Sequence, residues 1–395
     1  MPDGEKTVTV TVAGSIHDIA PADWDACAGS DNPFLSHAFF AALEDSGSAC
    51  PVTGWLPRHL VVAGPDGHAV GCAPLYLKSH SYGEYVFDWG WAEAFERAGG
   101  RYYPKLQAAV PFTPVTGRRF LFHPCAPAGT DRALATAMVN LAERLQVSSL
   151  HVTFLTAQES RTLSDLGVGF LSRTGHQYHW HNDGYRCFDD FLGALSARKR
   201  KTLRKERIGA ADHDVVIRTL SGAAIEPRHW DAFHRFYVDT IDRKWAHAYL
   251  TRDFFTRLGE TMADKVVLIL AETADGQPVG GALNLVGTNA LYGRYWGCAA
   301  DYRFLHFEAC YYRAIDFAIE RGLARVEAGA QGEHKIQRGY LPVRTYSAHW
   351  IAEPGFRRAI ARFVDAERAA VETEIEALGA ASPFRRDCGG ARAPK

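Results

Sequence analysis

The feature that most constrains this chain is a repeat within it. Asp66-Gly67, Val70-Gly71 and Ala73 align without a gap with Asp275-Gly276, Val279-Gly280 and Ala282. Further on, Tyr82-Gly83-x-Tyr85 matches Tyr292-Gly293-x-Tyr295 after one insertion, and Tyr102-Tyr103 matches Tyr311-Tyr312. Each Asp-Gly pair stands between apolar runs, as a tight hairpin turn requires. His59 to Ala63 and Ala69 to Leu77 are the arms of one hairpin; Val266 to Glu272 and Val279 to Val286 are the arms of the other. A duplicated hairpin–strand–helix unit predicts a mixed α+β fold with long antiparallel strands and crossover helices. The length of 395 residues agrees, because single cores stop growing near about 250–300 residues. The expected division is 1–190, a basic connecting helix at 191–210, and 211–395.

Other elements follow from periodicity. Thr7 to Val12 alternates as a strand. Phe34 to Leu43 has helical spacing, with Ser36 as a cap. Tyr85 to Trp91 reads as an aromatic strand, and Ala92 to Ala98 as a helix stopped by Gly99-Gly100. Leu106 to Val110 and Leu150 to Leu155 are strands flanking a helix at Asp131 to Gln146. In the second half, Leu291 to Cys298 is a strand. Phe304 to Arg321 is a helix with Phe307, Tyr311, Ile315 and Ile319 on one stripe, closed by Gly322. Arg325 to Ala328 is a strand and Gly355 to Leu378 a polar helix; the end from Pro383 reads as frayed.

Net charge is −1, so a nucleic-acid contact would need a local basic patch. Met1 to Lys6 is polar, with no apolar stretch behind it to form a signal peptide. No run of about 18 apolar residues predicts a membrane span. The eight Cys, up to Cys388, show no C-x-x-C or metal spacing and read as reduced thiols. A cytoplasmic protein is the expectation.

Three constellations could carry chemistry. From Val326 to Trp350, Glu327, Glu333, His334, Lys335, Arg338 and Arg344 crowd a segment that Gly329, Gly332, Gly339 and Pro342 keep irregular. His334, between Glu333 and Lys335, offers a base tuned by its neighbours, and Arg294 with Tyr295 could line a pocket beside it. Alternatively these charges pair with each other, and Tyr292, Tyr295 and Trp296 are core. Next, Arg198-Lys199-Arg200-Lys201, Arg204, Lys205 and Arg207 make a helix basic nearly all round, with Ser196 as its cap. It is either a solvated connector or a phosphate site built on Arg198, Arg200 and Arg204. Finally, His179 and His181 share one strand face near His176 and Asp183. A structural or substrate-binding role is favoured over a metal, since no fourth ligand follows. No nucleophile elbow, Walker loop or Rossmann fingerprint stands in its required context.

Longer motifs carry a resemblance. Ala73-Pro74-Leu75-Tyr76-Leu77-Lys78-Ser79-His80-Ser81-Tyr82-Gly83-Glu84-Tyr85-Val86-Phe87-Asp88-Trp89, Tyr102-Tyr103-Pro104-Lys105-Leu106, Tyr178-His179-Trp180-His181-Asn182, Leu291-Tyr292-Gly293-Arg294-Tyr295-Trp296-Gly297 and Glu327-Ala328-Gly329-Ala330-Gln331-Gly332-Glu333-His334-Lys335 resemble the bacterial peptidoglycan biosynthesis/recognition family of predicted N-acyltransferases. That family is similar to the Fem-type aminoacyl transferases, and the resemblance spans nearly the whole chain.

The resemblance implies two tandem GNAT-like (acyl-CoA N-acyltransferase fold) domains. In each, an acyl donor lies where two central strands splay apart and backbone amides meet the tetrahedral oxyanion. Tyr295 to Gly297 and the strand ending at Gly329 would flank that gap. The implied reaction is transfer of an aminoacyl or acyl group to an amine of a small molecule or a peptidoglycan precursor. The donor would be aminoacyl-transfer RNA or acyl-coenzyme A, with no tightly bound cofactor. His334, Glu333 and Tyr295 would serve catalysis. Lys335, Arg338, Arg344, Arg294, Asp88, His179 and His181 would hold substrate, and Arg198, Arg200 and Arg204 phosphate. The chain departs from ordinary GNAT enzymes at Asp301 to His306, where a glycine-lined pyrophosphate turn is missing. It also lacks the long charged arm of some Fem-type enzymes. The rival readings are a recognition module without chemistry and an acyl-coenzyme A-dependent acetyltransferase of a small amine.

Overall fold

The computed structural model describes residues 9–211, 213–243, 248–329 and 331–385. The expectations placed on Met1 to Lys6, on Thr7 and Val8 at the start of the first strand, on Ala330 and on Cys388 lie outside them. The strands are β1 Val10–Ala13, β2 Trp55–Pro57, β3 His59–Ala63, β4 Ala69–Ala73, β5 Tyr76–Lys78, β6 Lys105–Ala108, β7 Leu121–Phe122, β8 Ser149–Leu155, β9 Leu171–His181, β10 Val215–Ser221, β11 Val266–Thr273, β12 Pro278–Val286, β13 Ala290–Cys298, β14 Arg325–Glu327 and β15 Leu341–Ile351. With the intervening helices they make a mixed α+β fold.

By contacts the chain forms two compact units, Met1–His176 with Ala246–Lys265 and Arg344–Glu372, and Gln177–Trp245 with Val266–Val343 and Thr373–Lys395. This division is discontinuous, whereas the sequence reading drew contiguous segments. The reason is strand pairing over long separations: β8 takes β15 as its antiparallel partner, with His349 opposite His151.

In the first unit β1, β3, β4 and β7 form one antiparallel sheet. A second sheet runs β2-β5-β6-β8-β15, with β6 and β8 parallel. One face of that sheet, with Leu106, Leu150 and Val152, packs against Leu134, Met138 and Leu141 of the helix Thr130–Arg144. In the second unit the order is β10-β11-β12-β13-β14-β9, antiparallel except for β13 beside β14. Here Leu291 and Val326 meet Tyr312, Ile315 and Ala318 from the helical segment after β13.

The repeated hairpins match in register as well as in sequence. Leu60 faces Ala73 and Val62 faces Gly71, with a register shift between Val62 and Ala63. Ile269 faces Ala282 and Ala271 faces Gly280, with a shift between Ala271 and Glu272. The tight Asp-Gly turn and the small residues at matching positions impose the same bulge twice.

Elsewhere the structure corrects the reading. Tyr85 to Trp91 is not a strand: Tyr85 has φ 60°, and a helix begins at Trp89 and runs to Arg97. Aromatic content suggested a strand, but the helical placement of Trp91, Ala92 and Phe95 against one core decides otherwise. The later repeat matches therefore have no structural counterpart. Tyr82–Tyr85 lies in turns and Tyr292–Tyr295 in a strand; Tyr102–Tyr103 precedes β6, whereas Tyr311–Tyr312 is helical. The helix expected at 304–321 contains a π turn, Glu308–Tyr312. Up to Arg385 the end is not frayed: Phe384 bridges Leu195, and Ser196 N–H donates to the Pro383 carbonyl at 2.9 Å.

One close approach sets β13. A Cβ at Gly297 would come 2.2 Å from the carbonyl oxygen of Phe236 in the helix Pro227–Asp242. Gly297→Ala is therefore expected to cost about 1–3 kcal/mol through forced displacement of packed backbone. Chemical denaturation reads this directly, and an unchanged midpoint would show that the helix moves aside freely.

Candidate active site

The site is built where β13 and β14 part. They pair in parallel at Ala290–Arg325, Leu291–Val326 and Tyr292–Glu327. β14 then ends, while β13 continues to Cys298 on β12 alone. Opposite β12, Leu283 faces Tyr295 and Asn284 faces Gly293, so Arg294 is the extra residue of a bulge. On the other prong Gly329 (φ 77°) and Gly332 (φ 100°) turn the chain out of the sheet, as glycine permits at low cost. The 3-10 turn Glu333–Arg338 follows. Sequence alternation gives no sign of the bulge, which is the kind of local kink that re-aims side chains beside active sites.

At the base of the fork Glu327 is fully buried. Arg325 Nε lies 3.0 Å from it, an Arg294 guanidinium nitrogen 3.7 Å and His179 Nε2 3.9 Å. Burial opposes ionisation of Glu327, but His179, Arg325 and Arg294 outweigh it and hold the carboxyl below the usual range. Burial brings His179 down to about 4, so its imidazole is neutral at pH 7. His181 is exposed, its ring centroid 6.3 Å from that of His179. Among the described residues no group of three or more His, Cys, Asp or Glu is placed to hold a metal ion.

Along the β14 prong, Lys335 is buried and donates to the carbonyls of Ala328 at 2.6 Å, Gly329 at 3.4 Å and Gln331. Burial, with Arg294 adding to it, lowers its ammonium to about 8. His334 Nε2 is 2.9 Å from the Tyr311 hydroxyl. Burial, Arg338 and Lys335 all lower the His334 imidazole from its ordinary value, while burial raises the Tyr311 phenol. The pair at pH 7 is thus a neutral imidazole and an intact phenol. The π turn carries Tyr311, and the Tyr340 hydroxyl donates to its carbonyl at 3.1 Å. Single π turns inside helices are frequent at functional sites. Tyr311 is the member of this site that sequence reasoning missed, because the helical stripe marked it only as core.

The remaining expected residues are dispersed. Glu333 is exposed beside His334. Tyr295 is half-buried, edge-on to Tyr237 at 5.4 Å. Arg338 stacks 3.4 Å from the Phe307 ring centroid and is held by both oxygens of buried Glu206, at 2.8 and 3.1 Å. Arg344 forks onto Glu372 at 2.8 and 2.5 Å in the first unit. Each of these two guanidiniums thus has an internal carboxylate where an external anion was expected. Asp88 also belongs to the first unit; it is buried, with Lys105 at 2.5 Å and the Tyr102 hydroxyl at 2.8 Å.

The basic run forms the helix Ala197–Ala211. Leu203, Glu206 and Ala210 are its buried side, and Arg207 is clamped by Glu308 at 3.0 Å and Asp316 at 2.7 Å. Arg198 and Arg204 are exposed, Arg200 half-buried, and Arg204 lies 3.3 Å from Asp189. The helix is therefore not charged all round. It buries one side on the segment that carries the π turn and leaves a basic side in solvent.

A family described as FemAB-like, peptidoglycan biosynthesis/recognition, matches residues 15–386. No curated protein sequence matches the chain. Among solved structures it is similar to FemX, with 12% identity over 87% of this chain and 98% of that one and a TM-score of 0.54. It is also similar to L-PGS from Bacillus licheniformis, with 10% identity over 85% and 98% and a TM-score of 0.51. A conserved protein of unknown function from Bacteroides thetaiotaomicron, 11% identical over 87% and 100%, has a TM-score of 0.51. At these identities the likeness is one of fold. No helix among the described residues is long and apolar enough to cross a membrane.

Proposed function

Because the chain belongs to the FemAB-like peptidoglycan biosynthesis/recognition family, we propose that its second unit transfers an acyl or aminoacyl group to an amine, forming an amide, on a cell-wall precursor or related amino compound. The observation that carries this reading is the parting of β13 from β14 at the Arg294 bulge, with Lys335 and His334 on the opposite prong. A parted parallel pair leaves backbone N–H groups unused by the sheet, and such groups stabilise a developing oxyanion. The donor carbonyl lies in the fork. His334, neutral at pH 7, takes the proton that the acceptor amine sheds on attack; as the tetrahedral intermediate collapses, the bond from the carbonyl carbon to the donor's ester oxygen or thioester sulfur breaks, the amide carbonyl re-forms, and His334 returns the proton to that leaving group. Lys335, held by three carbonyls, supplies positive charge as the tetrahedral oxygen forms. Glu333 sits at the mouth and orients the amine. The solvent side of the basic helix, with Arg198, Arg200 and Arg204, is the phosphate contact for an aminoacyl-transfer RNA donor.

The test is transfer of radiolabelled amino acid from charged transfer RNA to a muropeptide precursor, with acetyl-coenzyme A as the alternative donor. His334→Ala is expected to lower turnover by about 10²–10⁴-fold, the usual share of general-base catalysis. It should leave unfolding little changed, because the side chain is only partly buried. The base must be unprotonated, so turnover of the wild type should fall on acidification with an apparent pKa below the ordinary imidazole value of about 6.5. An unchanged rate in His334→Ala removes it from the mechanism. Stoichiometric binding of the precursor with no turnover from either donor would favour a recognition module.

A further inference from the structure

The larger sheet of the first unit has one apolar and one polar face, and both are buried. Side chains alternate between faces along a strand. Leu77, Leu106, Leu150, Val152 and Ala348 serve the hydrophobic core. Across the opposite face run two rows of registered partners. Trp55, Lys78 and Lys105 face one another on β2, β5 and β6. Tyr76, Gln107, His151 and His349 do so on β5, β6, β8 and β15. All are at most 2% exposed. Ser81, Glu84 and Asp88 of the segment Ser79–Asp88 close over Lys105, and Trp91 packs on His151 and His349. Ser81 Oγ, a Glu84 oxygen and an Asp88 oxygen lie 2.8, 2.7 and 2.5 Å from Lys105 Nζ.

Much of this face is internally satisfied, and what is not satisfied is concentrated. Trp55 Nε1, Tyr76 OH, Glu84 Oε1, Asp88 Oδ1, Gln107 Oε1 and His349 Nε2 are buried without a hydrogen-bond partner among the described residues. Buried polar atoms are paired in more than about nine cases in ten, so a group of them on one face is a set of contacts offered to something else. The side chains of Trp55, Tyr76 and Glu84 adjoin through Lys78 and through ring contact. Lys78 Nζ is 3.6 Å from the Trp55 ring centroid and 3.9 Å from Glu84 Oε1, and the Trp55 and Tyr76 rings are 5.3 Å apart. Lys105 joins Glu84 to Asp88. Burial lowers Lys78 to about 7, so with Lys78 neutral, Lys105 and one added ammonium balance the carboxylates of Glu84 and Asp88. The unused acceptors, two carboxylate oxygens and a carboxamide oxygen, match the three N–H bonds of an ammonium group. The unused indole N–H and phenol O–H match a carbonyl or carboxylate oxygen next to it.

We propose that this face of the first unit is a ligand site for a small primary α-amino compound. Its amino group sits among Glu84 Oε1, Asp88 Oδ1 and Gln107 Oε1, and its carbonyl or carboxylate oxygen on Trp55 Nε1 and the Tyr76 hydroxyl. A free amino acid and an aminoacyl group share this chemistry. Because Ser79–Asp88 closes over Lys105 in the site, binding requires that segment to open. The proposal concerns the first unit alone and stands apart from transfer chemistry in the second.

The test is calorimetric titration of the full-length protein with glycine, glycinamide and N-acetylglycinamide, which lacks the free amine. Glycine, glycinamide or both are expected to bind, and N-acetylglycinamide is not. Glu84→Gln and Trp55→Phe should each weaken binding at least about tenfold, a loss of about 1.4 kcal/mol. His334→Ala, in the second unit, should leave binding unchanged, which separates this result from any failure of the transfer reading. Glycine alone would assign a free amino acid; glycinamide alone would assign an aminoacyl group. Thermal unfolding reports whether the variants fold. If Glu84→Gln or Trp55→Phe does not, Tyr76→Phe, which removes one hydroxyl and no charge, takes its place. Absence of binding by both glycine and glycinamide, or binding that the folded variants leave intact, overturns the proposal and assigns the unpaired atoms to ordered water only.

Discussion

Lys105→Met is expected to lower the free energy of unfolding by about 3–5 kcal/mol at pH 7, the usual consequence of stranding buried charge. Lys105 is fully buried and bridges Glu84 at 2.7 Å and Asp88 at 2.5 Å. Methionine matches the stem in volume but leaves two carboxylates facing each other in a low-dielectric site. Burial opposes the charge on Asp88, yet Lys105 more than offsets this and holds the carboxyl well below its usual range. A group with a depressed native pKa stabilises above its unfolded value and loses that stabilisation as pH falls. Glu84 has the opposite sign. Burial, the largest influence, raises it to about 7, so its contribution is full in acid and fades as pH rises through neutrality. The deficit of Lys105→Met should therefore be greatest at pH 7–8 and shrink below about pH 4, where both carboxyls of the variant are protonated. Urea unfolding of the variant and wild type across that range measures it. A deficit independent of pH would mean that lost packing, not stranded charge, is the cause. Adding Glu84→Gln and Asp88→Asn should restore much of the loss.

Lys335→Met is expected to reduce transfer by about 10²–10³-fold, the scale of removing one preorganised electrostatic stabiliser beside the oxyanion. The Lys335 ammonium is anchored by the carbonyls of Ala328, Gly329 and Gln331, so it costs no reorganisation when charge develops in the fork. The same contacts give it a structural share of about 1–3 kcal/mol, since removing the donor leaves partly buried carbonyls unpaired. The two effects are separable. Turnover at saturating substrate reports the chemical step, and denaturant unfolding reports the loop. Since the ammonium titrates at about 8, wild-type turnover should also fall as pH rises through that value, and Lys335→Arg should move this limb upward. A variant with full turnover and lowered stability would confine Lys335 to holding the loop.

Part of the candidate site's placement was legible in sequence because its signals are local. Gly329, Gly332 and Gly339 marked an irregular segment, and that segment does carry His334 and Lys335 beside the strand fork. The density of charge in it could not show which cations face ligand. Arg338 and Arg344 look equivalent in the sequence, yet one is folded onto Glu206, 132 residues away, and the other onto Glu372, 28 residues away. Neither spacing is helical or strand-like, so no periodicity reveals the pair. Tyr311 was hidden for a different reason: a π turn changes which face a residue presents, whereas the stripe was counted at 3.6 residues per turn.

The sequence by itself determined the repeated hairpins and the principal amphipathic helices, while the bulge repeated at matching positions is seen only in the strand register. The hairpins and helices depend on turn chemistry and on apolar spacing within some ten residues. It also carried the family motifs over nearly the whole chain. Only the tertiary structure decided that β15 returns to β8, that β13 bulges at Arg294, and that Lys78, Lys105, Glu84 and Asp88 meet on a buried sheet face. The first depends on segments distant in sequence becoming neighbours; the other two lie within short stretches of chain, but alternation shows neither an inserted residue nor which sheet face a loop closes over. Whether a charged residue is solvated or sealed beneath a loop is set by that topology, because the cost of burying a charge is recovered only from partners the fold brings to it.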